Sequence, residues 1–291
     1  MKLGFVGLGA MGRPMALNLL KQGHTLGVYA RRASSTAPLV AAGAQAYDTP
    51  AALAAASDVV FTMVTASADL EHVALGADGL VHGARPGFVL VDMETIAPAT
   101  ARSVAAKLAE RGCDMLDAPV SGGPIGAEQA TLSIMVGGKA AVFERVRPLF
   151  AAMGKTIVHM GDHGAGQTTK ACNQLALLVN AMGTAEALLL AARSGLDPAK
   201  VREVLLGGVA ASRVLDLFGG KMAARDFAPG IEARLYYKDL HIVLDLVHEL
   251  QFAAPAASVV MQHINALIGR GDGGEDLSAL LKVLEAMAAP R

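Results

Sequence analysis

Lys170 and Asn173 stand three residues apart at the head of an apolar stretch, GAGQTTKACNQLALLVNAMG, residues 164–183. In a helix that spacing puts both side chains on one face. An amine there can give a proton to a substrate oxygen or take one from it, and partial burial at a cleft lowers its pKa toward working pH. The carboxamide one turn on can hydrogen-bond the same substrate or steady the amine. A second candidate is Ser121-Gly122-Gly123, which follows a strand-like segment. Its glycines leave backbone N–H groups uncovered, and such a nest takes anions. A substrate carboxylate fits, with the Ser121 hydroxyl as an added donor. Taken alone, this segment reads as an interstrand loop.

The third candidate is Gly7-Leu8-Gly9-Ala10-Met11-Gly12, directly after the segment KLGFVG and before a helical run. A strand, this glycine spacing and a helix together form a dinucleotide fingerprint. Gly7 makes the tight turn, Gly9 admits a pyrophosphate, and Gly12 lets helix and strand pack closely. Ala10 and Met11 complete the loop, and the helix start offers N–H groups and partial positive charge. The second strand ends Val28-Tyr29-Ala30-Arg31-Arg32, with no acid to accept from a ribose 2′-hydroxyl. Two guanidiniums suit a 2′-phosphate, so NADP is the expected cofactor, with NAD as the second choice.

These groups need a scaffold. Up to residue 162, the strand-like segments KLGFVG, TLGVYA, DVVFTMV, FVLVDM, CDMLD, TLSIMVG and KTIVHMG alternate with helical periodicity at 11–23, 67–75, 98–111 and 139–152. Alternation of this kind predicts a mainly parallel sheet covered on both faces. Beyond residue 164 only helices are predicted, at 167–194, 198–206, 210–222, 236–250, 254–270 and 277–288. The expected fold is therefore an α/β Rossmann-type dinucleotide-binding domain at 1–162, followed by an all-α domain at 163–291. The chain has 291 residues, enough for two cores. Lys plus Arg number 25 against 26 Asp plus Glu, which points to neither nucleic acid nor a membrane surface as partner. Asn180, Thr184 and Glu186 interrupt the most apolar run, 175–192, so it reads as a buried helix rather than a membrane span. Two cysteines make no disulfide framework, and a cytoplasmic location is expected. His241, Asp245 and His248 share a helix face, but nothing completes a coordination shell, so no metal is expected. The second half is apolar over too much of its helices for one covering layer, so a homodimer or homotetramer is expected.

Four collinear blocks carry a resemblance across essentially the whole chain. They are GFVGLGAMGRPMALNLLKQGH (4–24), DAPVSGGPIGAEQATLSIMVGG (117–138), GAGQTTKACNQ (164–174) and YYKDL (236–240). Together they resemble the β-hydroxyacid dehydrogenases, the family of 3-hydroxyisobutyrate dehydrogenase and tartronate semialdehyde reductase. The resemblance implies an NAD(P)-dependent oxidoreductase with Lys170 as the catalytic residue and Ser121, Gly122, Gly123 and Asn173 around a small carboxylate substrate. It also implies that Met63, Val64, Thr65, Thr95 and Lys238 lie beside the cofactor. Departures are Val64-Thr65 where the family has Leu-Pro, Glu94-Thr95 where it has Ser-Thr, Ala130 where it has Gly, and Ile231, near the substrate end of the pocket, where it often has Phe. The segments GGVAASRVLD (207–216) and RDFAPGIEARLYYKDL (225–240) look most like tartronate semialdehyde reductases. That favours reduction of 2-hydroxy-3-oxopropanoate to glycerate, with Ser212 as a candidate for the substrate hydroxyl. 3-Hydroxyisobutyrate, succinic semialdehyde and glyoxylate stay open as alternatives. A cofactor-binding regulator without catalysis would share the glycine loop but have no need of Lys170 with Asn173.

Overall fold

The structure, a computed structural model, describes residues 1–288; the last three residues of the expected all-α half, 289–291, lie outside the described residues. The first half opens on β1 (Leu3–Val6), four residues buried on both faces. Such uninterrupted apolar strands belong to a parallel sheet with helices on both sides. The elements that follow are α1 (Gly12–Lys21), β2 (Leu26–Tyr29), α2 (Ala33–Ala41), β3 (Gln45–Ala46), α3 (Pro50–Ala55), β4 (Val59–Thr62), α4 (Ser67–Leu75), α5 (Leu80–Gly83), β5 (Val89–Asp92), α6 (Pro98–Ala109) and β6 (Asp114–Asp117). The half closes with β7 (Val120–Ser121), α7 (Gly123–Glu128), β8 (Leu132–Gly137), α8 (Ala140–Phe150) and β9 (Gly154–Gly161).

These strands form one sheet in the order β3-β2-β1-β4-β5-β6-β8-β7, with β9 pairing β8. From β3 through β6 every pairing is parallel, whereas β8 runs antiparallel to β6 and β7. The order reverses beside β1, so the carboxyl ends of β1 and β4 meet at the switch point where ligands bind in such sheets. Two apolar clusters cover the sheet, one containing Phe5, Phe61 and Phe150, the other Val60, Leu90 and Leu108.

The expected Rossmann-type α/β fold followed by a helical domain is what the structure has. All seven expected strands are present. The sequence reading does not anticipate α2, α3, α5 and α7. α3, α5 and α7 have six residues or fewer, too short to show a period and held by tertiary packing instead, and α2 buries only Thr36 and Leu39, too few to mark an apolar stripe. The expected loop at Ser121-Gly122-Gly123 is the end of the short strand β7 running into α7.

The chain divides into two compact units, Met1–Lys170 and Ala171–Arg291. The division falls inside α9 (Ala165–Arg193), a few residues beyond the expected domain boundary at 162. The second unit continues with α10 (Pro198–Leu206), α11 (Arg213–Ala224), α12 (Ala233–Glu249), α13 (Pro255–Gly269) and α14 (Leu280–Met287). Asp197 and Ser212 cap α10 and α11 by accepting from Ala199 N and Leu215 N. By length and composition α9 could cross a membrane. Its Ala171, Leu178, Ala181 and Met182 nevertheless pack with Tyr236, Leu240, Val260 and Ile264 in the core of the second unit.

Candidate active site

The carboxyl ends of β1, β2, β4, β5 and β6 carry most of the expected site residues of the first unit. After β1, Gly7 has φ +90°, and a Cβ there would lie 2.2 Å from the Met63 carbonyl oxygen at the end of β4. Glycine is required twice over, by the left-handed turn and by the neighbouring strand. At Gly12 a Cβ would lie 1.9 Å from the Gly7 carbonyl oxygen, so the helix start closes directly onto the strand end. Gly9 differs: a Cβ there would meet nothing within 4 Å. The N-cap of α1, Met11, makes no side-chain capping bond, and the first turn has no acid. An exposed glycine and Ala10 beside an uncapped helix start form the cradle that a pyrophosphate fits.

Arg31 and Arg32 are exposed just past β2, with Arg32 as the N-cap residue of α2. Val64 and Thr65 follow Met63 in the connection to α4, and Thr95 sits between β5 and α6. The expected cofactor residues of this unit thus gather along one edge of the sheet.

Lys170 is only 7% exposed, and its Nζ donates to the Val120 carbonyl oxygen at 2.8 Å. The amine therefore stands beside Ser121, whose partly exposed side chain is followed by Gly122 at φ +138°. The root of α9 is fixed by groups that the sequence reading passes over. Asp117, at the end of β6, accepts from Gly164 N at 2.8 Å and Gln167 N at 3.0 Å. At Gly166 a Cβ would lie 2.4 Å from the carbonyl oxygens of Asp117 and Met135, so the helix begins pressed against the sheet. Gln167 accepts from Ile96 N at 3.1 Å and donates to the Glu94 carbonyl oxygen at 2.7 Å and to Asp92 Oδ2 at 3.4 Å. Thr62 donates to Asp92 Oδ1 at 2.9 Å.

Burial pushes the Asp92 carboxyl well above the usual carboxylate range, with the Glu94 and Asp117 charges adding to the rise and the Thr62 hydroxyl opposing it. Burial also raises Asp117, against the opposing pull of the Gly164 and Gln167 N–H groups. The available signal for these residues was an acid closing each of two apolar strands, VLVD and DMLD, plus the Gln in GAGQTTK.

In the second unit Asn173 follows Lys170 by one helical turn and donates to Gln174 Oε1 at 2.9 Å. Gln174 donates in turn to Asp239 on α12, next to Lys238, whose Nζ lies 3.4 Å from Asp239 Oδ1. Ser212 donates to Asn180 Oδ1 at 3.0 Å besides capping α11, so its hydroxyl has a structural task. Ile231 is half-buried, just ahead of α12, and packs against the core of the unit.

Residues 2–161 match the family described as the NAD binding domain of 6-phosphogluconate dehydrogenase. Residues 164–284 match the family described as NAD-binding of NADP-dependent 3-hydroxyisobutyrate dehydrogenase. Over 99% of its length the chain is 43% identical to 98% of the 2-hydroxy-3-oxopropionate reductase of Escherichia coli K12. Among solved structures it is similar to Mycobacterium tuberculosis 3-hydroxyisobutyrate dehydrogenase with L-serine, at TM-score 0.89 and 32% identity. That match covers 97% of this chain and 98% of the other. A structure of Psf3 with NADP+ and 2-OPP matches at TM-score 0.89 and 26% identity, over 97% and 99%. The chain binds NADP or NAD. It belongs to the 3-hydroxyisobutyrate dehydrogenase family, as an NAD(P)-dependent oxidoreductase that interconverts a small hydroxyacid and its semialdehyde.

Proposed function

We propose that the chain reduces 2-hydroxy-3-oxopropanoate to glycerate with NADP(H), and that Lys170 is the proton donor. The observation that carries this reading is the buried Lys170 amine beside Ser121, held on the Val120 carbonyl. Bound dinucleotide supplies the hydride, or accepts it in the reverse direction. As the carbonyl carbon is reduced, negative charge builds on its oxygen; the Lys170 ammonium stabilises that charge and delivers the proton. In oxidation the neutral amine takes the alcohol proton. Ser121 and the Gly122 and Gly123 N–H groups bind the substrate carboxylate, and Asn173 holds the substrate or the amine. On the cofactor side, Gly7, Gly9, Ala10, Met11 and Gly12 cradle the phosphates. Met63, Val64, Thr65, Thr95 and Lys238 flank the dinucleotide, and Arg31 with Arg32 receives the 2′-phosphate. Ser212, whose hydroxyl also caps α11, and Ile231 are the further residues proposed to contact the substrate. The choice of this semialdehyde rests on the GGVAASRVLD segment and on the likeness to the Escherichia coli reductase.

The test follows cofactor absorbance with NADPH and NADH against 2-hydroxy-3-oxopropanoate, succinic semialdehyde and glyoxylate, for wild type and Lys170→Ala. The expected result is the highest kcat/KM with NADPH and 2-hydroxy-3-oxopropanoate, and a loss of about 10²–10⁴-fold in Lys170→Ala with NADPH binding intact. Turnover that survives the substitution removes Lys170 from the proton step. Another preferred aldehyde replaces the substrate and keeps the chemistry.

The second unit is further proposed to self-associate as a homodimer or homotetramer. Leu190, Leu250, Phe252 and Val259 are exposed large apolar side chains of this unit. A strictly monomeric mass by light scattering rules this out.

A further inference from the structure

We infer that Gln167 is a positioning residue for the reaction: its carboxamide ties the helical turn that carries Lys170 to the backbone on both sides of Thr95. The inference rests on the proposed roles of Lys170 and Thr95.

Gln167 is 1% exposed, and both ends of its amide are used. Oε1 accepts from Ile96 N at 3.1 Å, and Nε2 donates to the Glu94 carbonyl oxygen at 2.7 Å. The side chain thus pairs with residues 94 and 96 as a neighbouring strand would, and clips the loop in which Thr95 is the middle residue. Its own backbone N–H is held by Asp117 Oδ2 at 3.0 Å. Three residues after Asp117, the Val120 carbonyl oxygen receives the Lys170 amine. One short segment, Asp117 to Val120, therefore grips both the root of α9 and the amine one turn on. Gln167 joins the Thr95 loop to that closed ring. On a helix, residues 167 and 170 share a face, so a shift at the clip is carried to the amine through one rigid hydrogen-bonded turn. A buried glutamine that only filled polar space would need partners, but not partners flanking the residue on the cofactor side.

Two substitutions test this. Gln167→Leu removes both clip bonds. Gln167→Glu keeps the shape; while protonated it can still accept from Ile96 N and donate to the Glu94 carbonyl oxygen. Once ionised it loses that donor, among Asp92 on β5, Glu94 after it, Asp117 on β6, His163 just ahead of α9 and Lys170 in its second turn. With the best aldehyde and NADPH, Gln167→Leu is expected to lower kcat on the order of 10²-fold, while KM for the aldehyde moves less than about threefold. Deuterated NADPH should show a larger isotope effect in this variant. Gln167→Glu is expected to approach wild-type kcat at low pH and to lose it as pH rises, well before the fall that the wild type shows when Lys170 deprotonates.

Wild-type kcat in a folded Gln167→Leu overturns the inference, as does a Gln167→Glu profile parallel to wild type. Where Gln167→Leu does not fold, the Gln167→Glu profile decides alone. Lys170→Ala keeps the two ideas apart. Turnover that survives in that variant defeats the proton role, whereas its loss beside unaffected Gln167 variants defeats only the clip.

Discussion

Two helices start at carboxyl ends of the same sheet, and they start in opposite ways. At α1 the glycines press helix against strand, yet no side chain caps the first turn and the loop at Gly9 faces open space. At α9 the glycines press just as closely, but Asp117 takes two of the first N–H groups and Gln167 is buried among three partners. A helix start must satisfy its N–H groups somehow. The open start leaves them uncapped by any side chain, as the proposed phosphate cradle requires, and the sealed one satisfies them with the buried Asp117 carboxylate. Binding and positioning are thus separate solutions to one backbone requirement.

The largest expected effect breaks the open start. In Gly12→Ala the Cβ meets a backbone carbonyl oxygen at 1.9 Å, and neither strand nor helix can yield. A destabilisation of about 3 kcal/mol and the loss of NADPH binding are expected, read by denaturation and fluorescence titration. Next comes the sealed start. Asp117→Ala leaves the Gly164 and Gln167 N–H groups buried without acceptors, which costs about 2 kcal/mol. Urea denaturation showing no change would remove the distinction between the two helix starts.

A smaller effect comes from Asp92. Its folded pKa is raised by burial, so the native state holds the proton more tightly than the unfolded chain does. Below the unfolded value of about 3.9 both states are protonated and the site is neutral in the balance. As pH rises from there to the folded pKa, stability falls by about 1.4 kcal/mol per pH unit. Asp92→Asn keeps an acceptor for Thr62 and should flatten that fall in thermal melts taken from pH 4 upward. The smallest effect lies outside both helix starts. Ala130 sits at φ +55°, a left-handed conformation that its Cβ disfavours, and Ala130→Gly should add about 0.5–1 kcal/mol to the unfolding free energy.

The sheet and its order of elements were legible because buried parallel strands write themselves as short apolar runs. The segments LGFV, VVFT and VLVD lie fully buried where the runs predicted. The helices that escaped notice, such as α3 and α5, carry too few residues for a period and form because they pack on each other and on the sheet. Within the candidate site the glycine loop was legible, since its spacing is local. Asp117 and Gln167 lie within the DAPVSGG and GAGQTTK segments, but their tasks depend on partners from 47 to 75 residues away and leave no local signal.

The sequence by itself determined the alternation that makes the sheet, the glycine turn after β1, and the missing acid after β2. Those features are periodicity, chain geometry and charge, which act over a few residues. The tertiary structure alone decided that Lys170 is buried against Val120, that Asp117 closes the helix beneath it, and that Gln167 reaches both sides of Thr95. A buried polar group must find its partner in space, and only the folded chain says who the neighbours are.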